Sequence, residues 1–95
     1  MPVQIAFAAQ FAELIGGTDS VTVEGRTVGE VLRRLTERHP ALATLVWSRK
    51  GADAHELNPV IVVFLNGEDA RTRGGLDAAL KDGDELLLIS AVEGG

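Results

Sequence analysis

The stretch from Thr27 to Pro40 constrains the fold most, because it carries the clearest helical repeat in the chain. Thr27 and Glu30 have the spacing of a capping box, and the residue before Pro40 disfavours helical geometry. Between these limits the apolar residues recur at i, i+3, i+4 and i+7: Val28, Val31, Leu32 and Leu35. The opposite side is charged, with Arg33, Arg34, Glu37 and Arg38. The pattern predicts one amphipathic helix whose apolar stripe packs on a sheet.

Segments with strand patterns lie on both sides of this helix. Residues 2–7 and 20–24 alternate with period two, and residues 60–65 and 85–90 are almost continuously apolar. Asn66-Gly67 is a strong hairpin signal, which predicts a short strand over 68–71. The order is strand, strand, helix, strand, strand, helical turn, strand. We expect an α+β fold, with a mixed sheet of four to five strands and one main helix.

The remaining segments predict smaller elements. Leu42, Leu45 and Val46 have the spacing of a short second helix with Trp47 packed at its end, followed by a polar loop over 48–58. Leu76 and Leu80 are spaced as a pair on a single helical turn.

One face of the predicted sheet has no cover. Strands 60–65 and 85–90 are apolar at successive positions, whereas the main helix covers only one face. We expect a hydrophobic patch on the other face that binds a partner, with Phe64, Leu86 and Leu88 as its contact residues. The alternative is that residues 41–58, including Trp47, fold over this face as a second core layer.

Composition excludes several classes of function. The 95 residues suit one domain, and the absence of cysteine excludes disulfides, thiolate nucleophiles and cysteine-based zinc sites. The net charge of −5 argues against a nucleic-acid partner. The chain has no membrane-length apolar run and no signal peptide, so we expect a cytoplasmic protein.

The negative charge is concentrated after residue 50. Residues 1–50 have a net charge of +1 and residues 51–95 a net charge of −6. This acidic half would steer the chain towards a basic partner surface, or would simply be a solvated surface that keeps the protein dissolved.

No residue set resembles a catalytic or metal centre. His39 and His55 are the only histidines and do not have metal-ligand spacing. Asp82 and Asp84 flank Gly83 as turn residues. Arg71 and Arg73 either contact a partner or are solvated.

The chain ends in Gly94-Gly95, which offers a thin backbone and an α-carboxylate. We expect a domain over residues 1–90 followed by a flexible tail over 91–95.

These features together resemble a known family. The specific residues are Val63-Phe64-Leu65-Asn66-Gly67-Glu68, Gly74-Gly75-Leu76, Leu80-Lys81-Asp82-Gly83-Asp84-Glu85 and Ala91-Val92-Glu93-Gly94-Gly95. With the element order, they are similar to the ubiquitin-like β-grasp sulfur carriers of the MoaD/ThiS family. The carrier of cysteine biosynthesis is the branch most resembled, followed by the small subunit of molybdopterin synthase.

The resemblance implies a non-catalytic carrier that is a substrate of its partner enzymes. An E1-like adenylyltransferase would use ATP and Mg to adenylate Gly95, and a sulfur donor such as a sulfurtransferase would convert the AMP adduct to a thiocarboxylate. An acceptor synthase would then take the sulfide. Ala91, Val92, Glu93 and Gly94 would occupy the partner's channel. The free protein would be a monomer without bound cofactor, metal, nucleic acid or membrane.

Two other functions stay open. A ubiquitin-like modifier would be joined to lysines through Gly95, whereas a plain interaction module would not use its terminus. For a carrier, the acceptor pathway is also open between cysteine, molybdopterin and a specialised thio-metabolite.

Overall fold

The computed structural model describes residues 2–48 and 56–90. In chain order the strands are β1 (Pro2–Phe7), β2 (Ser20–Glu24), β3 (Ile61–Leu65), β4 (Glu68–Asp69) and β5 (Glu85–Ser90). The α-helices are α1 (Ala9–Ala12), α2 (Val28–Arg38) and α3 (Pro40–Val46). Short 3-10 helices span Glu13–Ile15, Ala70–Arg73 and Gly75–Asp77. Within the described ranges, no helix has the length and apolar character needed to cross a membrane.

The five strands form one mixed sheet in the order β2-β1-β5-β3-β4. The last strand, β5, occupies the centre, parallel to β1 and antiparallel to β3. Both hairpins, β1–β2 and β3–β4, are antiparallel. The predicted α+β class, with a mixed sheet and one main helix, is confirmed.

Helix α2 begins and ends where the sequence predicts. The Thr27 hydroxyl accepts a hydrogen bond from the Glu30 N–H at 3.1 Å, which caps the first turn. Glu30 does not return the bond to Thr27, because its carboxylate accepts the Arg26 N–H at 2.7 Å instead. The four apolar stripe residues are at most 1% exposed and form the core with the sheet.

Helix α3 adds to this same core, on the side of α2. Leu42 and Val46 are fully buried, whereas Leu45 is 37% exposed. The Trp47 indole N–H donates to the Thr36 hydroxyl of α2 at 3.0 Å. Trp47 and Leu57 face each other in an isolated bridge and pack against the core. Trp47 therefore does not cover the opposite sheet face. The alternative, in which residues 41–58 form a second core layer on that face, does not hold for this residue.

Two predicted boundaries are wrong. The strand expected over 68–71 ends at Asp69, because the Asp69 carboxylate accepts the Arg71 N–H at 2.9 Å and starts a 3-10 helix. Leu76 lies in a 3-10 turn, but Leu80 lies beyond it. The Leu80 N–H is instead bonded to the Arg26 carbonyl at 2.9 Å, and its side chain is buried in the core.

Candidate sheet-face interaction site

The described residues end on β5, the central strand of the sheet. Ser90, the last described residue, is paired with Ile61 at the start of β3. On the other side, the Ala8 N–H donates to the Leu88 carbonyl at 3.1 Å, just after β1 ends. Residues 91–95 lie outside the described residues, as does His55. The roles assigned to Ala91, Val92, Glu93, Gly94 and Gly95 therefore stay predictions.

The sheet face away from the helices carries an apolar row across three strands. Ala6 of β1 lies beside Leu87 of β5, and Leu87 lies opposite Phe64 of β3. Leu87 is 39% exposed and Phe64 is half-buried. A groove of about 500 Å³ runs along this row, with Gln4, Asn66, Gly67, Glu85 and Leu86 also in its lining. We call Ala6, Phe64 and Leu87 the apolar row.

The expected contact residues are only partly correct. Phe64 lies on the outer face as predicted, but Leu86 and Leu88 are 1% and 0% exposed and belong to the core. Successive strand residues alternate between faces, so an entirely apolar run does not reveal which residues point outwards. The exposed Glu85 at the start of the run was the missed signal. Period two from Glu85 places Leu87 on the outer face.

Val62 of β3 and Ile89 of β5 are paired with each other, are half-buried and extend the apolar half of this face. The part of the face towards β2 is polar. Gln4 of β1 and the β2 residues Ser20, Thr22 and Glu24 occupy its other half, and the Gln4 amide donates to the Ser20 hydroxyl at 3.3 Å. The face is therefore divided between a polar half on β2 and an apolar half on β3 and β5.

Asn66 and Asp84 fix the end of the groove nearest Glu85. Asn66 has a positive φ of 51°, as its hairpin turn requires. Its side chain donates to Asp84 at 3.0 Å and accepts the Glu85 N–H at 2.9 Å. The other Asp84 oxygen accepts the Lys81 N–H at 2.8 Å. These two hydrogen bonds, the one from Asn66 first, hold the pKa of Asp84 below its usual value.

The two arginines after β4 are paired within the chain. Arg71 contacts Asp69 at 2.6 Å, and the hydrogen bond from its guanidinium lowers the pKa of Asp69. Arg73 pairs with Glu68. Both pairs are exposed, so each contributes little to stability but neutralises charge beside the apolar row.

The ThiS family model matches residues 5–95, which is nearly the whole chain and includes Gly94-Gly95. This chain belongs to the ThiS family.

Several ThiS-type proteins are similar over most of this chain. The sulfur carrier protein CysO of Mycobacterium tuberculosis is 31% identical over 80 residues, or 84% of each chain. Small archaeal modifier protein 1 of Haloferax volcanii is 42% identical over 89 residues, covering 92% of this chain and 93% of that protein. In the crystal structure of the Amycolatopsis orientalis BexX/CysO complex, the matching chain has a TM-score of 0.82 and 33% identity, with 98% of this chain and 99% of that chain covered. The predicted ubiquitin-like β-grasp fold is confirmed.

Within residues 2–48 and 56–90, no group of three His, Cys, Asp or Glu side chains could hold a metal ion. His39 is half-buried at the junction of α2 and α3, away from the apolar row. The relatives named above are small carrier and modifier proteins.

Proposed function

We propose that this chain is a sulfur carrier that transports sulfide as a thiocarboxylate on Gly95. The observation that supports this most is the family match, which extends through residue 95, together with the 31% identity to a named sulfur carrier. The lack of cysteine means that the chain cannot hold sulfur as a persulfide, which leaves the α-carboxylate as the site of attachment.

Loading proceeds in two steps, both in partner enzymes. A carboxylate is a poor electrophile, so an oxygen of the Gly95 carboxylate first attacks the α-phosphorus of ATP and expels pyrophosphate. A sulfur donor then attacks the acyl carbon and expels AMP. The chain supplies the acyl group and the partners supply ATP, Mg and the catalytic residues. In transfer, the thiocarboxylate sulfur bonds to a substrate of the acceptor synthase. Water then cleaves the bond between this sulfur and the acyl carbon, which leaves the sulfur on the substrate and returns Gly95 to a carboxylate.

The open sheet face is the surface we assign to the E1-like adenylyltransferase. Leu87 lies three residues before Ser90 on the strand that leads to the tail, so docking at Leu87 would set the direction in which residues 91–95 leave. The exposed carboxylate of Glu85 adjoins the apolar row, which suits a partner with apolar residues surrounded by basic ones. The CysO of A. orientalis was crystallised in a complex with BexX. We propose that this chain likewise forms a complex with a partner protein, and that its partner is an acceptor enzyme.

Mass spectrometry tests the carrier directly. The chain is incubated with an E1-like adenylyltransferase of the ThiS system, ATP, Mg and a sulfide source. The expected product has gained the mass difference between sulfur and oxygen at its C-terminus, and reaction with an alkylating reagent marks it as a thiocarboxylate. A chain without Gly95 is the matched control. If the enzyme adenylates the chain but no sulfur is incorporated, the carrier function is refuted.

A second candidate is a protein modifier, which the 42% identity to small archaeal modifier protein 1 favours. The same adenylate would then be attacked by a lysine amine of a target, which forms an isopeptide bond. Peptide mapping of proteins isolated with the tagged chain distinguishes the two. Lysines that carry a C-terminal fragment of this chain indicate a modifier, and a thiocarboxylate without such lysines indicates a carrier only.

A further inference from the structure

Strand β2 forms one outer edge of the sheet. The Phe7 N–H donates to the Asp19 carbonyl at 3.0 Å, which makes Phe7–Asp19 a hydrogen-bonded pair and fixes the alternation that follows. Val21 and Val23 therefore direct their backbone groups towards β1, whereas Ser20, Thr22 and Glu24 direct theirs away from the sheet. Thr22 and Glu24 are also exposed. Such an edge is a template for pairing with another strand.

Two arginines of α2 bind this edge. Arg34 Nη1 donates to the Glu24 carbonyl and Arg38 Nη1 donates to the Thr22 carbonyl, each at 3.2 Å. The spacing of Arg34 and Arg38 along α2 matches the spacing of the Glu24 and Thr22 carbonyls along β2. Residues four apart on a helix are separated by about 6 Å along its axis. Residues two apart on a strand are separated by about 6.8 Å. One pair of arginines can therefore cap two successive outward carbonyls.

Glu30 holds the first of these arginines in place. Its carboxylate lies 3.6 Å from Arg34 Nη2, one helical turn away. The same carboxylate accepts the Arg26 N–H. The Arg26 bond, followed by the charge of Arg34, lowers the pKa of Glu30, so the carboxylate is charged over the neutral pH range.

We propose that the β2 edge is a latent strand-pairing surface that Arg34 and Arg38 hold closed. Its occupant, once the arginines are removed, is β2 of a second copy of this chain. The edge is self-complementary about Thr22. In an antiparallel pair centred on Thr22, the two Thr22 residues face each other and Ser20 faces Glu24 of the second copy. No like charges meet, and opposed threonines are favourable cross-strand neighbours.

The opposite edge of the sheet does not offer the same surface. Strand β4 has only two residues, and its chain then turns into a 3-10 helix. Closing the β2 edge keeps the chain a monomer, which leaves the apolar row as its contact surface. This assignment uses only the folded domain and does not depend on the chemistry proposed for Gly95.

The test replaces both arginines with methionine, which keeps much of the alkyl stem but removes the donors. We expect R34M/R38M to form a dimer whose mass by light scattering is twice that of the parent, and to show slower amide exchange at Thr22. The matched control is R33M on the exposed side of the same helix, which should stay monomeric.

A third substitution identifies the interface. The Thr22 N–H points away from β1, so proline at this position removes a donor to the second copy without breaking a bond in the β1–β2 hairpin. Adding Thr22→Pro to R34M/R38M should restore the monomer. A double variant that stays monomeric overturns the proposal, and so does a dimer that survives Thr22→Pro. If the double variant does not fold, R34Q/R38Q decides, because glutamine stays polar but is shorter than arginine and removes both guanidinium caps. It should dimerise with protection at Thr22, and a monomer would overturn the proposal.

Discussion

Asn66 shows how much of a turn residue's role depends on its partners. The sequence predicts Asn66 as half of a hairpin signal, and the positive φ confirms this. Its side chain also connects β3 to the start of β5 through Asp84 and the Glu85 N–H. No local pattern contains that information, because Asn66 and Asp84 are 18 residues apart and meet only when the sheet forms.

Replacing Asp84 with asparagine should destabilise the fold at neutral pH. Each oxygen of the carboxylate accepts one hydrogen bond. Asparagine has an NH2 group in place of one of these oxygens, so this group would face one of the two donors and that hydrogen bond would be lost. Losing a hydrogen bond to a charged acceptor costs about 1.5–3 kcal/mol. Denaturant unfolding at pH 7 measures the loss. Asp82→Asn, at an exposed position two residues earlier, is the control and should have little effect.

The same carboxyl should make stability depend on acid pH. Because the pKa of Asp84 is lower in the folded chain, its contribution is fully present above the unfolded pKa of about 3.9. The contribution is lost as the pH falls through the lower folded value. Unfolding free energies measured from pH 7 to pH 2 should therefore fall more steeply for the parent than for Asp84→Asn. Parallel curves would contradict this.

At the scale of elements, predictability depended on whether a segment alternates. The polar residues of β1 and β2 mark the outer face, and the apolar residues between them therefore mark the inner face. The bounds of both strands were predicted correctly. The continuous apolar runs of β3 and β5 were correctly predicted as strands, but not their outer residues. That choice depends on the side occupied by α2, which only the tertiary structure determines.

Arginine at Leu87 should weaken adenylation and leave the fold intact. Leu87 is already 39% exposed on the outer face, so the charge stays in water until a partner covers it. The rate of adenylation and the melting temperature are measured together. Leu88→Arg is the contrasting variant and should unfold the chain, because Leu88 is fully buried. If Leu87→Arg is adenylated as fast as the parent, the apolar row is not the docking surface.

Helix α3 should contribute to the core through one side only. Leu42→Ala should cost about 2–5 kcal/mol, since Leu42 is fully buried. Leu45→Ala, three residues later and 37% exposed, should change stability by about 0.5 kcal/mol or less. Chemical denaturation of both variants checks this. Equal losses would mean that α3 is covered on both sides.

At the scale of the whole molecule, the folded domain and the reactive terminus should be separable. Deleting Gly95 should abolish thiocarboxylate formation without changing the melting temperature, because Leu88 of β5 is the last core residue among those that the structure describes. Mass spectrometry and thermal unfolding of the same sample measure the two effects. A large fall in melting temperature would show that Gly95 is part of the fold.

The acidic half of the chain should speed the encounter with the adenylating enzyme. Residues 51–95 have a net charge of −6, and screening shortens the reach of that charge to about 8 Å at physiological ionic strength. The association rate constant should fall as salt is added, while dissociation changes little. Stopped-flow measurements over a salt series test this, and a salt-independent association rate would remove the steering role.

The central position of β5 has a consequence for synthesis on the ribosome. Strands β1 and β3 are not paired with each other, and both pair with β5, which is translated after all the other described strands. A nascent chain that stops before residue 85 therefore has two separate hairpins and no shared sheet. The segment that completes the sheet directly precedes residues 91–95, so the sheet is completed only a few residues before Gly94-Gly95, where we propose that adenylation occurs. A chain terminated before residue 85 would therefore lack both the complete sheet and the proposed site of adenylation.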